Sequence, residues 1–292
     1  MPGTLYLCGT PIGNLEDMTF RAVRVLREVK AIAAEDTRRT RKLLAHFDIK
    51  TPLVSYHEHN KEERGPALLA RLAAGEDIAV VSDAGMPGIA DPGADLVRQA
   101  VAAGVPVVPV VGANAALAAV VASGLDTGII HFLGFLPRTA KRRRDVLAVA
   151  AAWPGTLVLY EAPHRLLATL AELAAALGDR PAVAAREVSK IYEEFVRGSL
   201  SSLQAHFAAA PPRGEFTLVV GGRPDDAPAA APPPQTGDLA ASVAALMTAG
   251  MSKKDAIKRV AEERKVPKRV VYQAAHSAAG RQDAGGRSPE AE

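Results

Sequence analysis

Short runs of β-branched and aliphatic residues alternate along this chain with longer Ala- and Leu-rich segments of helical spacing. In the first part of the chain the strand-like runs are residues 4–9, 31–34, 53–55, 78–82 and 105–111. The helical patterns between them are residues 20–29, 38–46, 63–74 and 93–103. This β-α-β rhythm predicts an α/β domain over residues 1–117, with a mostly parallel sheet covered by helices on both faces.

A second α/β domain is predicted over residues 118–223. Its strand-like runs are residues 129–133, 156–160, 182–185, 191–196 and 216–220. Helical patterns occupy residues 113–123, at the junction with the first domain, and then residues 140–152 and 165–177. Several connections are too short for a crossover helix, so this sheet is expected to be mixed rather than parallel.

The C-terminal region has a different composition. Residues 224–237 are rich in Pro and Ala and predict a linker. Residues 238–279 predict a small basic module of three helices, the second of which begins at a capping-box-like pattern at Ser252 and the third at Lys268. Residues 280–292 are expected to be a disordered tail.

Several functional classes are excluded by what the sequence lacks. No apolar run approaches the roughly 20 residues of a membrane span, and the single cysteine, Cys8, cannot form an intrachain disulfide. The first residues enter a strand without a signal-peptide pattern, so we expect a cytoplasmic protein. The glycine patterns of dinucleotide-binding folds, phosphate-loop NTPases and hydrolase elbows are absent. His57 and His59 have no further ligand nearby in sequence, and we predict no metal site.

Three loops rich in Gly and Pro follow predicted strands, at residues 9–15, 82–93 and 111–115. Open α/β sheets bind ligands outside the carboxyl ends of their strands, and glycine lets the backbone approach a ligand closely. The alternative is that these residues only form tight turns. Because three such loops share one predicted sheet edge, we favour a ligand site there.

Polar residues also follow several strands, at residues 34–38, 160–165 and 186–187. They either form structural ion pairs or surround a cleft between the two domains, where ligand sites are common.

Basic residues are clustered although the net charge is only +3. The clusters are residues 38–42, residues 141–144 and the region between Lys253 and Arg269. Each cluster alone is compatible with a solvated helix face, but together they indicate a polyanionic partner.

In these loops and polar segments, the chain resembles the tetrapyrrole methylase superfamily. Within it, the chain resembles the branch that 2′-O-methylates a decoding-centre cytidine of 16S ribosomal RNA. The resemblance rests on motifs spread in order along residues 4–222 and again along residues 252–272. These motifs are Thr-Pro-Ile-Gly-Asn-Leu at 10–15, Ala-Glu-Asp-Thr-Arg at 34–38, Ser-Asp-Ala-Gly at 82–85, Asp-Pro-Gly at 91–93, Gly-Phe-Leu-Pro at 134–137, Tyr-Glu at 160–161, Pro-His-Arg at 163–165, Ala-Arg-Glu at 185–187 and Gly-Glu at 214–215.

The resemblance implies a two-domain tetrapyrrole-methylase-like fold, a homodimer, no membrane association, and S-adenosyl-L-methionine bound in the cleft between the domains. The 16S ribosomal RNA of the small ribosomal subunit is the implied partner. By motif, the implied cofactor-binding residues are Pro11, Gly85, Met86, Ile89, Asn114, Ala115, Tyr160, Glu161 and Thr217. The chain departs from the pattern at Met86, where threonine is usual, and at Val111, Ala113 and Asn114. These departures leave a weakened or inactive relative as an alternative.

A ribose hydroxyl needs a base to take its proton during methyl transfer. The candidate bases are Glu35, Asp36, Asp83, Glu161 and Glu187, with His57 and His164 after them. We expect Glu35 and Arg38 on the acceptor side, with Arg186 and Glu187 across the cleft; a structural salt-bridge network is the alternative.

The residues expected to contact RNA phosphates are Lys141, Arg142, Arg143, Arg144, Arg165, Lys253 and Lys254. Two other functions stay open: methylation of a tetrapyrrole, and a non-catalytic role in RNA binding or ribosome assembly.

Overall fold

A computed structural model describes residues 1–89, 93–223, 239–248, 250–264, 268, 271–272 and 275. Contacts divide the chain into two compact units, Met1–Asp225 and Asp226–Glu292. The predicted linker and tail, and most of the predicted third helix of the basic module, lie outside the described residues. Within the described part of the chain, no helix combines the length and apolar character that a membrane span requires.

The first sheet is parallel, as predicted. Its strands are β1 (Leu5–Cys8), β2 (Ala31–Ala34), β3 (Leu53–Ser55), β4 (Ile78–Val81) and β5 (Val107–Val110). They lie in the order β3-β2-β4-β1-β5, and every neighbouring pair is parallel. The carboxyl ends of β4, β1 and β5 therefore lie side by side.

Helices cover both faces of this sheet. They are α1 (Phe20–Glu28), α2 (Thr37–His46), α3 (Lys61–Ala73) and α4 (Gly93–Ala102). Because side chains alternate across a strand, Leu5 of β1 joins the core under α3 and α4, whereas Cys8 joins the core under α1 and α2. The first sheet is therefore held between two separate apolar cores, one on each face.

The second sheet is mixed, again as predicted. Its strands are β6 (Ile130–Phe135), β7 (Thr156–Glu161), β8 (Pro181–Arg186), β9 (Glu194–Ser199) and β10 (Phe216–Val220). They lie in the order β6-β7-β10-β8-β9, with β6 and β7 parallel and the other pairs antiparallel. One face is covered by α6 (Ala140–Ala150), α7 (Leu166–Leu177) and α8 (Leu200–Ala209).

Helix α5 (Ala115–Ser123) covers the other face of the second sheet. It begins just after β5 of the first sheet, and its Ala119 and Val120 pack among Val158 and Val219 of the second. This helix therefore ties the carboxyl edge of the first sheet directly to the second sheet.

The structure differs from the predicted local structure at two places in this region. The strand expected at residues 191–196 is β9, which begins later because Ile191 and Tyr192 are exposed and pairing with β8 starts at Glu194. Helix α8 was not predicted. A capping box between Ser199 and Ser202 starts it, and its apolar side is buried.

The second unit contains α9 (Leu239–Thr248) and α10 (Lys253–Glu263). Ser252 caps α10, since its side chain accepts a hydrogen bond from the Asp255 N–H at 3.2 Å, as the capping-box pattern predicted. Val243 of α9 and Val260 of α10 lie in the small apolar core of this unit.

Candidate functional site

Three loops meet at the carboxyl edge of the parallel sheet, as the sequence predicted. We call them loop 1 (residues 9–15, after β1), loop 2 (residues 82–93, after β4) and loop 3 (residues 111–115, after β5). Thr10 and Gly85 exchange two backbone hydrogen bonds, of 3.0 and 3.1 Å, which join loop 1 to loop 2. The described parts of these loops thus form one connected backbone structure.

Glycine is required where loops 1 and 3 touch. A Cβ atom on Gly9 would lie 2.7 Å from the Cα of Gly112 and 2.7 Å from the Sδ of Met86. Gly85 has a φ of +79°, a conformation that L side chains rarely adopt. Loops 1 and 3 are therefore tightly packed where they touch, and the backbone of loop 2 at Gly85 has a conformation that favours glycine.

A cleft of about 550 Å³ opens above these loops and is closed on its other side by the second sheet. This volume lies within the range of roughly 300–1,000 Å³ that small-molecule sites occupy. The residues that line it are Ile12, Glu35, Arg39, Ser82, Asp83, Ala84, Gly85, Met86, Ile89, Asn114, Ala115, Phe135, Tyr160, Glu161, Ala162, Pro163, His164, Glu187, Val188, Lys190, Glu215, Phe216 and Thr217.

Asp83 organises the side of the cleft that belongs to the first sheet. Its Oδ1 accepts the Asp36 N–H at 3.0 Å, and its Oδ2 pairs with the Arg39 guanidinium at 3.1 Å. Asp36 instead caps α2, and its hydrogen bonds with Arg38 lower its pKa to about 2. Glu35, between β2 and this cap, lines the cleft and is half-buried.

Glu187 organises the opposite side. Its Oε1 accepts the Glu215 N–H at 2.8 Å and the Lys190 ammonium at 2.9 Å. Burial raises the pKa of Glu187, but the hydrogen bonds from Glu215 and Lys190 outweigh burial and leave the pKa lowered. A carboxylate held in this way stays ionised and is a weak proton acceptor.

Glu161 lies at the base of the cleft and is fully buried. Its carboxylate accepts hydrogen bonds from the Thr169 hydroxyl at 2.6 Å and the Ala162 N–H at 2.9 Å, and it pairs with Arg165 at 3.4 Å. Both oxygens are thus used in holding the loop that follows β7. Next to it, burial raises the pKa of Tyr160, and the nearby backbone of Ala116 offsets part of this rise.

Residues 4–204 match the tetrapyrrole (corrin/porphyrin) methylases. The chain belongs to this family.

Curated relatives extend the match over nearly the whole chain. A protein from Halalkalibacterium halodurans named ribosomal RNA small subunit methyltransferase I is 49% identical, over 94% of this chain and 95% of its own length. The protein of the same name from Bacillus subtilis is 48% identical, over 94% of each chain. The predicted resemblance to the ribosomal RNA methyltransferases of this family is therefore confirmed.

Solved structures of the family confirm the predicted fold. The uroporphyrin-III C-methyl transferase of Thermus thermophilus, complexed with S-adenyl homocysteine, superposes with a TM-score of 0.54 at 24% identity. The match covers 75% of this chain and 97% of that one. At this level of identity the likeness shows the fold.

Most of the predicted site residues line this cleft. They are Glu35, Gly85, Met86, Ile89, Asn114, Ala115, Tyr160, Glu161, Thr217 and Glu187. Pro11 belongs to loop 1 but is not among the lining residues. Two of the departures from the family pattern have a place in the structure: Met86 packs against loop 1, and Asn114 caps α5 by accepting the Leu117 N–H at 3.0 Å.

Two arginines predicted for the site lie elsewhere. The Arg38 side chain is 84% exposed and pairs with Asp36, whereas its neighbour Arg39 lines the cleft. Successive residues of a helix differ by about 100° in direction, so only one of the two can face the cleft. Arg186 donates to the Arg213 carbonyl at 2.7 Å and to Glu194 at 3.2 Å. It is therefore used within the second sheet.

Several lining residues were not predicted for the site, among them Arg39, Phe135 and Lys190. Arg39 was recognised only as part of a basic cluster. Phe135 belongs to the Gly-Phe-Leu-Pro motif at residues 134–137, so the motif could have indicated that Phe135 lies at the site. Nothing in the local sequence distinguishes Lys190 from an ordinary exposed lysine.

The basic residues of α6 divide into two groups. Arg143 forms an ion pair with Glu172, and its Nη1 donates to the carbonyls of Pro137 and Arg138 at 3.1 Å each. Lys141, Arg142 and Arg144 are exposed.

The other predicted RNA contacts are also divided. Arg165 donates to the Leu136 carbonyl at 3.3 Å as well as pairing with Glu161. Arg165, like Arg143, is therefore occupied within the protein. Lys253 and Lys254 begin α10 in the second unit, where Lys254 is exposed and Lys253 half-buried.

No group of three potential metal-ligating side chains occurs among the described residues. The rings of His57 and His59 lie 6.1 Å apart, centroid to centroid, and the buried Nδ1 of His57 has no hydrogen-bond partner there.

Proposed function

We propose that this protein transfers a methyl group from S-adenosyl-L-methionine to the 2′-hydroxyl of a decoding-centre cytidine in the 16S RNA of the small ribosomal subunit. The observation that carries the proposal is the acidic cleft above the three loops at the carboxyl edge of the parallel sheet. The names of relatives at 48–49% identity support ribosomal RNA as the substrate class.

The composition of the cleft suits this cofactor. Carboxylates outnumber cations along its lining: the acids are Glu35, Asp83, Glu161, Glu187 and Glu215, and the bases are Arg39 and Lys190. A negatively charged lining favours the positively charged sulfonium and ammonium groups of S-adenosylmethionine. Ile12, Met86 and Ile89 provide apolar wall for a flat base, and the glycine loops bring backbone groups close.

Particular residues are then assigned to cofactor binding. Gly85, Met86, Ile89, Asn114 and Ala115 hold the cofactor from the first sheet, with Pro11 shaping loop 1 behind them. Tyr160, Glu161 and Thr217 hold it from the second sheet. Because Glu161 is saturated by Thr169, Ala162 and Arg165, its contribution is to fix the backbone around it.

The reaction depends on position and on one proton transfer. When bound, S-adenosylmethionine supplies an electrophilic methyl group carried on sulfur. The cleft residues must hold the ribose hydroxyl roughly 3–3.5 Å from that carbon, in line with the leaving sulfur. We assign the proton-accepting role to Glu35, with Asp83 and Arg39 as the pair that fixes the edge beside it.

Glu187 is assigned a positioning role rather than that of the base. Its lowered pKa and its hydrogen bonds to Lys190 and Glu215 make it a poor proton acceptor. The same network holds the loop that follows β8 against the cleft.

The partners follow from charge and apolar exposure. Lys141, Arg142 and Arg144 supply exposed positive charge for RNA phosphates, and Lys253 and Lys254 supply more from the second unit. A homodimer is supported by α5, which also exposes apolar side chains: Leu117 is 55% and Val121 76% exposed.

The decisive experiment compares methyl acceptors. Purified protein with radiolabelled S-adenosylmethionine is expected to label 30S subunits and to leave a porphyrinoid unlabelled. Mapping of ribose methylation on 16S RNA from cells that lack the protein should show one cytidine unmodified, and the wild-type gene should restore it. Labelling of the porphyrinoid alone would refute the RNA assignment, and absence of cofactor binding by calorimetry would refute catalysis.

A further inference from the structure

Three aromatic rings form a cluster at the mouth of the cleft. Phe132 and Phe135 of β6 both contact Tyr160 of β7, with ring centroids 5.2 and 5.5 Å apart and the ring planes inclined at 73° and 54°. We call this cluster the aromatic platform. It lies on the edge strand of the second sheet.

An irregularity in β6 creates the platform. Residues three apart in a regular strand point to opposite faces, so Phe132 and Phe135 should not share one. The register shifts between Phe132, which pairs with Val158, and Gly134, which pairs with Leu159. Gly134 takes a φ of +61°, and Phe135 then pairs with Tyr160. The bulge thus brings both phenylalanines to the face that carries Tyr160.

The two phenylalanines are open to solvent. Phe132 is 42% exposed and Phe135 is 55% exposed, whereas Tyr160 is half-buried. Phe135 and Tyr160 line the cleft, but Phe132 does not. The platform therefore extends from inside the cleft to the surface beside it.

Basic residues follow the platform along the chain. The chain leaves β6 through Leu136, Pro137 and Arg138, and the carbonyls of all three accept hydrogen bonds from Arg143 or Arg165. This rigid turn leads to the exposed Lys141 and Arg142, which have no ion-pair partner among the described residues. Aromatic rings next to unpaired cations are typical of surfaces that bind single-stranded nucleic acid.

We infer that the platform stacks an unpaired nucleobase of the substrate RNA, with Phe135 as the principal ring and Phe132 beside it. The adjacent cations of α6 then contact the phosphates of the same strand. The inference rests on the proposed RNA substrate. It assigns to β6 the task of holding a base out of its stack so that its ribose reaches the cleft.

The test uses the full-length protein and four variants. Phe135→Ala and Phe132→Ala remove the rings, Phe135→Trp keeps a stacking surface, and Phe20→Ala removes an exposed phenylalanine of α1 as the matched control. A fluorescent single-stranded RNA of cytidine-containing sequence reports binding. Calorimetry reports S-adenosylmethionine affinity, sedimentation reports oligomeric state, and methylation of 30S subunits gives kcat and KM.

Phe135→Ala is expected to weaken RNA binding about tenfold and Phe132→Ala somewhat less, because each stacked base contributes roughly this much. Phe135→Trp and Phe20→Ala should stay within about twofold of wild type. Cofactor affinity and oligomeric state should not change, and the loss should be in KM for 30S.

Wild-type RNA affinity in both alanine variants would overturn the inference. Dissociation of a dimer by these substitutions would overturn it too, since the rings would then belong to a contact with a second copy. Loss of cofactor affinity without loss of RNA affinity would instead assign Phe135 to the cofactor. Failure of the wild-type protein itself to methylate 30S would refute the proposed function, which is a separate result.

Discussion

The contact between loops 1 and 3 predicts a graded response to the same substitution at three glycines. In Gly9→Ala, the new Cβ lies 2.7 Å from the Gly112 Cα and 2.8 Å from its nitrogen. Carbon atoms prefer about 3.5–4.0 Å, so the loops must separate by roughly 1 Å. Overpacking of this kind costs about 1–3 kcal/mol of stability. A displacement of about 1 Å also reduces activity on the order of 100-fold.

Two further substitutions separate packing from backbone effects. Gly124 has a φ of +82° but open space around a Cβ, so Gly124→Ala should cost only the left-handed backbone conformation, about 1 kcal/mol. Gly65 lies within α3, where the nearest atom would be a Gln99 side-chain oxygen at 3.5 Å. Gly65→Ala should therefore stabilise the protein by about 0.5–1 kcal/mol.

For all three variants, the urea concentration at the unfolding midpoint measures stability, and calorimetry measures cofactor affinity. The expected order of stability is Gly65→Ala above wild type, then Gly124→Ala, then Gly9→Ala, with cofactor binding lost only in the last. Equal stability of Gly9→Ala and Gly65→Ala, with cofactor bound normally by both, would refute the tight contact between the loops.

Four other outcomes follow from the site. Glu35→Gln should lower kcat by about 100-fold without changing cofactor affinity, measured by single-turnover methylation of 30S; an unchanged rate would exclude Glu35 as the base. Arg143→Met should destabilise the protein, because Arg143 pairs with Glu172. Arg142→Met, at the exposed neighbouring position, should weaken only RNA binding and reduce the salt dependence of that binding. Equal melting temperatures for the two variants would contradict this. The folded-state pKa of Glu187 lies below its ordinary value of 4.5, so its stabilising effect is complete above that pH and is lost as pH falls below it. The difference in urea midpoint between wild type and Glu187→Gln should therefore be constant above about pH 6 and shrink in acid; a constant difference down to pH 3 would argue against it. Deletion of residues 238–292 should weaken RNA binding and leave cofactor binding intact, and unchanged RNA affinity would remove the C-terminal module from the interface.

The order of strands and helices was predictable because each depends on short-range pattern. The apolar runs at residues 31–34 and 78–82 predict strands buried on both faces, and both form central strands of the first sheet. Helix α8 escaped prediction because its start depends on a serine-to-serine capping box, a pattern weaker than the usual one with glutamate. Local composition therefore determined which elements form, and less common caps determined where some begin.

The side chains of the site were harder to predict because a small change in backbone phase redirects them. Asp36 rather than a neighbour caps α2, and that choice alone turns Arg39 to the cleft and Arg38 to solvent. One bulge residue in β6 likewise brings Phe132 and Phe135 to the same face, which strand alternation would forbid. The motifs identified the loops that line the cleft, since glycine and proline have backbone requirements that are visible in the sequence. Which side chain of a motif faces the cleft depends on a helix cap or a β-bulge outside that motif. The sequence therefore predicts the loop better than it predicts the individual residue that faces the cleft.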